Sequence, residues 1–377
     1  MGESIKEDKA MRGLIDSTLR EGGQTPGVQF SLHQKIAIAR AIAAVGIEEI
    51  ELGVATRHDA ELEALFRACR TFPRCPRLSL WCRCRPEDIA FAARLKPDII
   101  SLSLPASDLH INKRLSKSRS WVLEQIKESV ALAGSLGIPA VSLGLEDSSR
   151  ADRAFLTVMI ACAVTAGVQR VRLADTVGVL TPGETSALIA FYRKKYPGLE
   201  IALHAHNDFG MASANAFSAL ENGADWADVT VLGLGERAGC ARLEELTGML
   251  SLVKQQKKYR VDLLRELCLL VAGAAGRAIA VNQPMVGNAI FTCETGLHVH
   301  GVLADPSSYE PFPPERVKAR RSVLLGAKSG NRAVAGYYAR MGLAPATSLP
   351  TVVARIRQKA TELGRPLLDS EVVGLIA

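Results

Sequence analysis

Aromatic residues are scarce: Phe, Trp and Tyr make up 5% of the 377 residues, while Ala, Leu, Val and Ile are plentiful. That balance points away from a β-sandwich, whose core draws on aromatic and β-branched side chains, and towards an α/β protein. No CxxC pair occurs among the eight cysteines (69, 75, 82, 84, 162, 240, 268, 293). Their scatter through apolar runs fits reduced thiols in a cytoplasm. No block of Lys and Arg is interleaved with aromatics, which removes the usual mark of nucleic-acid binding. No run is long and apolar enough to span a membrane, and Met1–Arg12 is a charged start without the apolar stretch of a signal peptide. The expectation is a cytoplasmic protein that binds neither nucleic acid nor membrane. Low-complexity tracts are also lacking.

What is present is a chain 48% hydrophobic and 23% charged, with 46 Lys and Arg against 39 Asp and Glu, a net charge of +7. A positive field of that kind suits acidic metabolites, and it is equally the mark of a solvated surface without special meaning. Apolar strand-like runs alternate with amphipathic stretches from Arg12 onward. The strands read 13–17, 48–53, 77–83, 98–104, 140–144, 170–175, 200–204 and 226–232. The helices read 32–45, 58–71, 86–95, 120–136, 150–166, 182–196, 211–222 and 242–257. Glycine stops follow several helices, as at Gly46 and Gly167. Eight strand–helix units in about 245 residues predict a (β/α)8 barrel over 12–258. A doubly wound open sheet is the alternative. Beyond Lys258 the pattern changes to a small, mostly helical extension, 259–377, with helices at 263–278, 331–341 and 349–363 and a mixed segment at 293–309.

Chemistry in such barrels sits at the carboxyl ends of the strands. The unusual polar residues fall there: Asp16–Glu21, Glu146-Asp147, Asp175-Thr176, His204/His206 and the Gly-rich 233–239. His204 and His206, two apart on one strand, share a face with α-carbons roughly 7 Å apart. Two imidazoles so placed can bind one divalent metal. Arg20 can polarise a carbonyl without losing its proton, and Glu21 can complete a hard metal site. The competing reading of Arg20-Glu21 is a local surface ion pair. Glu146-Asp147-Ser148 equally reads as a helix N-terminus, with Asp147 or Ser148 as its cap. In the extension, His298 and His300 stand as equal candidates.

The segments DSTLREGGQTPGV, LHAHNDFGMASANAFSALENGA and GLGERAG together resemble the acyl-CoA-dependent Claisen-condensing barrels. That group contains homocitrate synthase and 2-isopropylmalate synthase, with the lyase that cleaves hydroxymethylglutaryl-CoA as a relative. The resemblance runs from Gly13 to Leu343. It implies a divalent cation (magnesium, manganese or zinc) held by Glu21, His204 and His206, with Arg20 as electrophile. It implies acetyl-CoA as cosubstrate, deprotonated at its methyl group to attack the carbonyl of a 2-oxo acid, after which water releases coenzyme A. It selects His298 over His300 and pairs it with Tyr309, both supplied by the partner subunit of a homodimer with exchanged carboxyl-terminal segments. Glu146 would lie near the thioester, and Thr176 would contact a carboxylate. Gln24, Arg83 and Arg85 complete the expected substrate contacts.

Two departures stand out. Relatives that make isopropylmalate carry Asn just after the GERAG loop, where this chain has Cys240, and lysine-pathway homocitrate synthases carry Glu where it has Ala202. Trp81-Cys82-Arg83, Ser107–Ile111 and Lys117-Ser118-Arg119 resemble the nitrogenase-associated homocitrate synthases. Isopropylmalate or citramalate synthase is the second reading, disfavoured by the lack of a long regulatory segment after the extension. A retro-aldol lyase and a non-catalytic binding relative are the others; the tail pair opposes the first and the intact polar set opposes the second.

Overall fold

The computed structural model describes residues 11–56, 61–342 and 347–376. The charged start at 1–10 and the beginning of the helix expected at 58–71 lie outside them. Eight parallel strands close in chain order: β1 Gly13–Asp16, β2 Glu49–Val54, β3 Arg77–Arg83, β4 Ile99–Pro105, β5 Val141–Glu146, β6 Arg170–Asp175, β7 Glu200–Ala205 and β8 Trp226–Val229. β8 pairs back onto β1, Gly13 facing Trp226, so the expected (β/α)8 barrel is the fold. The outer helices are α1 Leu32–Val45, α2 Leu62–Arg70, α3 Pro86–Leu95, α4 Arg119–Ser135, α5 Arg153–Ala166, α6 Pro182–Lys195, α7 Ala212–Glu221 and α8 Leu243–Gly248. Local chemistry sets their ends. Ser31 and Gln34 form a capping box on α1, which stops at Gly46 with φ +101°.

Three differences from the sequence reading have local causes. β8 ends at Val229, not at 232, because the Thr230 hydroxyl donates to Leu234 O at 2.6 Å and folds the chain into a tight turn. α5 begins at Arg153 because the Asp152 carboxylate accepts the Phe155 N–H at 2.8 Å; neither Asp147 nor Ser148 caps it. Between β4 and α4 an unexpected wide helical turn, Leu109–Arg114, carries His110 and Arg114.

The chain divides into two compact units, Met1–Ala278 and Ile279–Ala377. Helix α9, Leu264–Ala275, packs on α1 in the first unit, whereas the change of sequence pattern at Lys258 assigns it to the extension. The second unit holds a short parallel pair, β9 Thr292–Cys293 with β10 Ser322–Val323. Around it stand α10 Gly296–Ala304, α11 Asn331–Met341, α12 Leu349–Leu363 and α13 Asp369–Ile376. Val299, Tyr337, Val352 and Ile356 give this unit a core of its own.

Charge fills the inside of the barrel. Alternate residues on a strand share a face, and the inward ones here are Glu49 and Glu51 on β2, Arg170 and Arg172 on β6, and Asp228 on β8. In the lower layer Arg170 donates to both oxygens of Glu49 at 3.1 and 2.8 Å and lies 4.4 Å from the Trp226 ring centroid. One layer up, Arg172 reaches Glu51 at 2.9 Å and Asp228 at 3.3 Å. Such pairs are costly to desolvate and strongly destabilising to break. The layers form a rigid pedestal directly beneath the mouth.

Candidate active site

β1 delivers Arg20 and Glu21 through a tight turn. Asp16 accepts the Thr18 N–H at 2.9 Å and its hydroxyl at 2.8 Å, which folds the chain over the strand end. Arg20 and Glu21 touch and are both enclosed, 8% and 4% exposed. That excludes the surface ion pair. Arg20 Nε donates to Glu51 at 2.6 Å, so the pedestal fixes the guanidinium from below. Burial opposes the Glu21 charge, but the Arg20 guanidinium beside it outweighs burial and holds the carboxyl below the usual carboxylate range. Burial likewise opposes the charge on Glu51, and Arg172 and Arg20 still hold it below the carboxylate range.

β7 delivers the imidazoles. The Nε2 atoms of His204 and His206 stand 3.3 Å apart. Nitrogens bound at about 2.1 Å to one ion and separated this far subtend roughly 100°, which suits a shared divalent cation. The Glu21 carboxylate spans the pair, Oε2 at 3.9 Å from His204 Nε2 and Oε1 at 4.0 Å from His206 Nε2. Behind His204, Asp228 lies 2.9 Å from Nδ1, an arrangement that places the proton on Nδ1 and turns the Nε2 lone pair into the site. Burial and the neighbouring His204 push His206 down to about 4, so its imidazole is neutral at pH 7. Chemistry and spacing thus fit a divalent metal. Cys240, opposite His206 in an isolated β-bridge, places Sγ 3.8 Å from His206 Nδ1; burial and then Glu21 push its thiol well above the ordinary value.

The GERAG loop is tied to both sides. Asn207 N–H donates to Gly239 O at 2.8 Å, Glu236 N–H reaches Glu21 at 3.4 Å, and Arg237 holds Asp208 at 2.8 Å and Thr176 O at 2.6 Å. Gly239 has φ +85°, and a Cβ there would overlap Gly233 O.

The remaining expected residues are placed as follows. Arg20 and Gln24 line one cleft of about 900 Å³ together with Phe30, Lys35 and Glu61. Glu146, closing β5, accepts the Ser103 hydroxyl at 2.8 Å and is paired with Arg114. Thr176, after β6, accepts the Asp147 N–H through its hydroxyl at 2.8 Å. Arg83 at the end of β3 is engaged by Asp88 at 2.5 and 3.0 Å, while Arg85 is exposed at the start of α3. In the second unit α10 turns His298 outward, and the Tyr309 ring lies 4.4 Å from it. His300, on another side of the same helix, makes no such pair. The sequence reading missed Glu49, Glu51, Arg170, Arg172 and Asp228. Their signal was charge at every second position within apolar strands, Glu-Ile-Glu and Arg-Val-Arg.

The chain is similar to known proteins over most of its length. The HMGL-like family model matches residues 12–271, and the homocitrate synthase post-HMGL domain-like model matches 285–363. A protein named 2-isopropylmalate synthase 2, from Caldanaerobacter subterraneus subsp. tengcongensis, is 36% identical over 99% of this chain and 96% of its own length. A homocitrate synthase of Frankia alni is 39% identical over 88% of this chain and 93% of its own. Among solved structures, the hydroxymethylglutaryl-CoA lyase of Pseudomonas aeruginosa superposes with a TM-score of 0.62 at 20% identity, over 72% of this chain and 94% of that one. That likeness speaks for the barrel alone. The two family matches and the relatives together make this chain a member of the HMGL-like family, an acyl-transferring condensing enzyme with a homocitrate-synthase-type tail.

Proposed function

We propose that the chain condenses acetyl-CoA with 2-oxoglutarate and hydrolyses the thioester, giving (R)-homocitrate and coenzyme A. The observation that carries this is the convergence of Arg20 and Glu21 with two imidazoles whose Nε2 atoms are 3.3 Å apart. Glu21, His204 and His206 are the residues that would hold a divalent cation, which supplies Lewis acidity to a carbonyl and its carboxylate. Arg20, held on Nε by Glu51 and on Nη1 by Glu21, has Nη2 to offer a carbonyl oxygen and stabilises charge that develops there. Glu146 is oriented by Ser103 and Arg114 for work beside the thioester. Thr176, Gln24, Arg83 and Arg85 read the carboxylates. His298 from a partner subunit takes the proton from the acetyl methyl group, and Tyr309 handles the proton at the new alkoxide. The active form is then a cytoplasmic homodimer with exchanged carboxyl-terminal segments. Relatives named homocitrate synthase support 2-oxoglutarate as the acceptor; the supply of homocitrate to nitrogenase cofactor assembly rests on the resemblance of the Ser107–Ile111 segment alone.

Isopropylmalate or citramalate synthesis is the second reading, because relatives so named match at 36% and 39% identity. The test is thiol release from acetyl-CoA with 2-oxoglutarate, 2-oxoisovalerate and pyruvate offered separately. The highest kcat/KM is expected with 2-oxoglutarate. Preference for either other acid transfers the chain to the second reading, and no release with any of them overturns the condensation.

A further inference from the structure

Helix α10 carries a glycine at an interior position, Gly301, where every residue but proline would support the helix better. Its backbone is not left-handed, so no turn demands it. A neighbouring side chain does. A Cβ at Gly301 would meet Tyr309 Cε2 at 2.3 Å, Tyr309 Cδ2 at 2.7 Å and Ser308 Oγ at 3.1 Å, the nearest atoms beyond the helix backbone. Residues three apart share a helix face, so His298 and Gly301 stand together, while Val299 and Val302 turn to the buried side. The ring thus lies on the bare step left by Gly301 and meets the imidazole, centroids 4.4 Å apart. The chain's return to that place is set locally. Asp305 accepts the Ser307 N–H at 2.9 Å, the Tyr309 N–H donates to Pro306 O at 3.1 Å, and Arg321 holds the adjacent Glu310 at 2.5 and 2.6 Å. The simpler reading is a chance weak point in a partly exposed helix. It leaves unexplained the ring that fills the place of the missing side chain.

We propose that Gly301 is a positioning residue for the condensation: lacking a side chain, it seats the Tyr309 ring against His298 and so presets the distance between the two groups. This rests on the roles proposed above for His298 and Tyr309 and adds the residue that fixes their spacing. Both groups then come from one tail as a preformed pair. Tyr309 is 45% exposed, so its ring is free to yield, and an added methyl moves the phenol while leaving α10 in place. A misplacement of about 1 Å can lower a rate by on the order of 100-fold. The residues that bind the 2-oxo acid are untouched, so the loss belongs to turnover and not to KM.

The test is Gly301→Ala, alone and combined with Tyr309→Ala, in the full-length protein, read by thiol release from acetyl-CoA with the preferred 2-oxo acid. A second readout is nuclear magnetic resonance of ring-labelled histidine, the His298 signal being assigned by its loss in His298→Gln. Gly301→Ala should lower kcat by about tenfold or more with KM nearly unchanged. It should also shift the His298 signal towards its position in Tyr309→Ala. In the Tyr309→Ala background the same change should cost nothing further, because residues acting through one contact are not additive. Undiminished kcat in Gly301→Ala beside an impaired Tyr309→Ala overturns this inference alone. So does a loss of equal size, or a loss of fold, in both backgrounds, which would place the fault in the helix. Undiminished kcat in Tyr309→Ala removes the tyrosine from the reaction and overturns its proposed role and this inference together.

Discussion

Asp228 touches no substrate in this account, yet it decides which nitrogen of His204 faces the site. Asp228→Asn keeps the shape but can offer an amide donor to Nδ1 and so favour the wrong tautomer. Metal affinity should fall by about 10–100-fold, measured by competition with a chelator, while circular dichroism stays unchanged. Affinity equal to that of the unaltered protein would show that Nδ1 needs no acceptor. Arg20→Lys tests a different function, because a compact ammonium cannot reproduce the planar fork that Glu51 holds. Turnover should drop far more than metal content; unaltered turnover would remove Arg20 from its electrophilic role. Asp16 supplies a pH dependence. Burial drives its carboxyl from the ordinary 3.8 up to about 7, against the two bonds from Thr18. The folded state therefore keeps a proton that the unfolded chain has released, and stability is lost as pH rises between those values. Relative to Asp16→Asn, the unaltered protein should lose up to about 1.4 kcal/mol per pH unit across that window, read by urea unfolding at pH 5 and 7. A gap independent of pH would contradict the assignment.

Among the elements, the central link is Arg172 on β6, which bridges β2 and β8 by holding Glu51 and Asp228 at once. Arg172→Met leaves two carboxylates buried without their shared cation and should cost about 3–5 kcal/mol, measured from the urea midpoint. A loss below about 1 kcal/mol, the range of an exposed pair, would mean that water reaches this layer. The strands and helices were largely legible because their signals are local: apolar runs for strands, amphipathic stretches and glycine stops for helices. The end of β8 was not, because it depends on the Thr230 hydroxyl bonding Leu234 O instead of extending the ladder. The wide turn at Leu109–Arg114 was hidden for a similar reason, since its Arg114 finds a partner only when Glu146 arrives on β5. The charged interior escaped because a partner for Glu49 lies 121 residues away at Arg170, and no periodicity announces such a pairing.

For the whole molecule, the candidate site was legible where motif and topology coincide: strand ends carry Arg20, Glu21, His204 and His206, and the closed barrel brings them together. Cys240 could be flagged in the sequence as a departure, but its approach to His206 required the bridge that only folding makes. The proposed exchange of tails predicts complementation. Mixing inactive Arg20→Ala with inactive His298→Ala protein should restore about a quarter of full activity, since about half the dimers are mixed and each has one intact site. No recovery despite demonstrated subunit exchange would mean that each tail serves its own barrel. The central claim, metal-dependent condensation at this barrel mouth, is tested most directly by thiol release from acetyl-CoA on protein stripped with a chelator. The account predicts that release requires a 2-oxo acid, ceases on stripping, returns with a divalent cation, and never returns in His204→Ala. Release that persists in the stripped protein, or that His204→Ala retains in full, would contradict it.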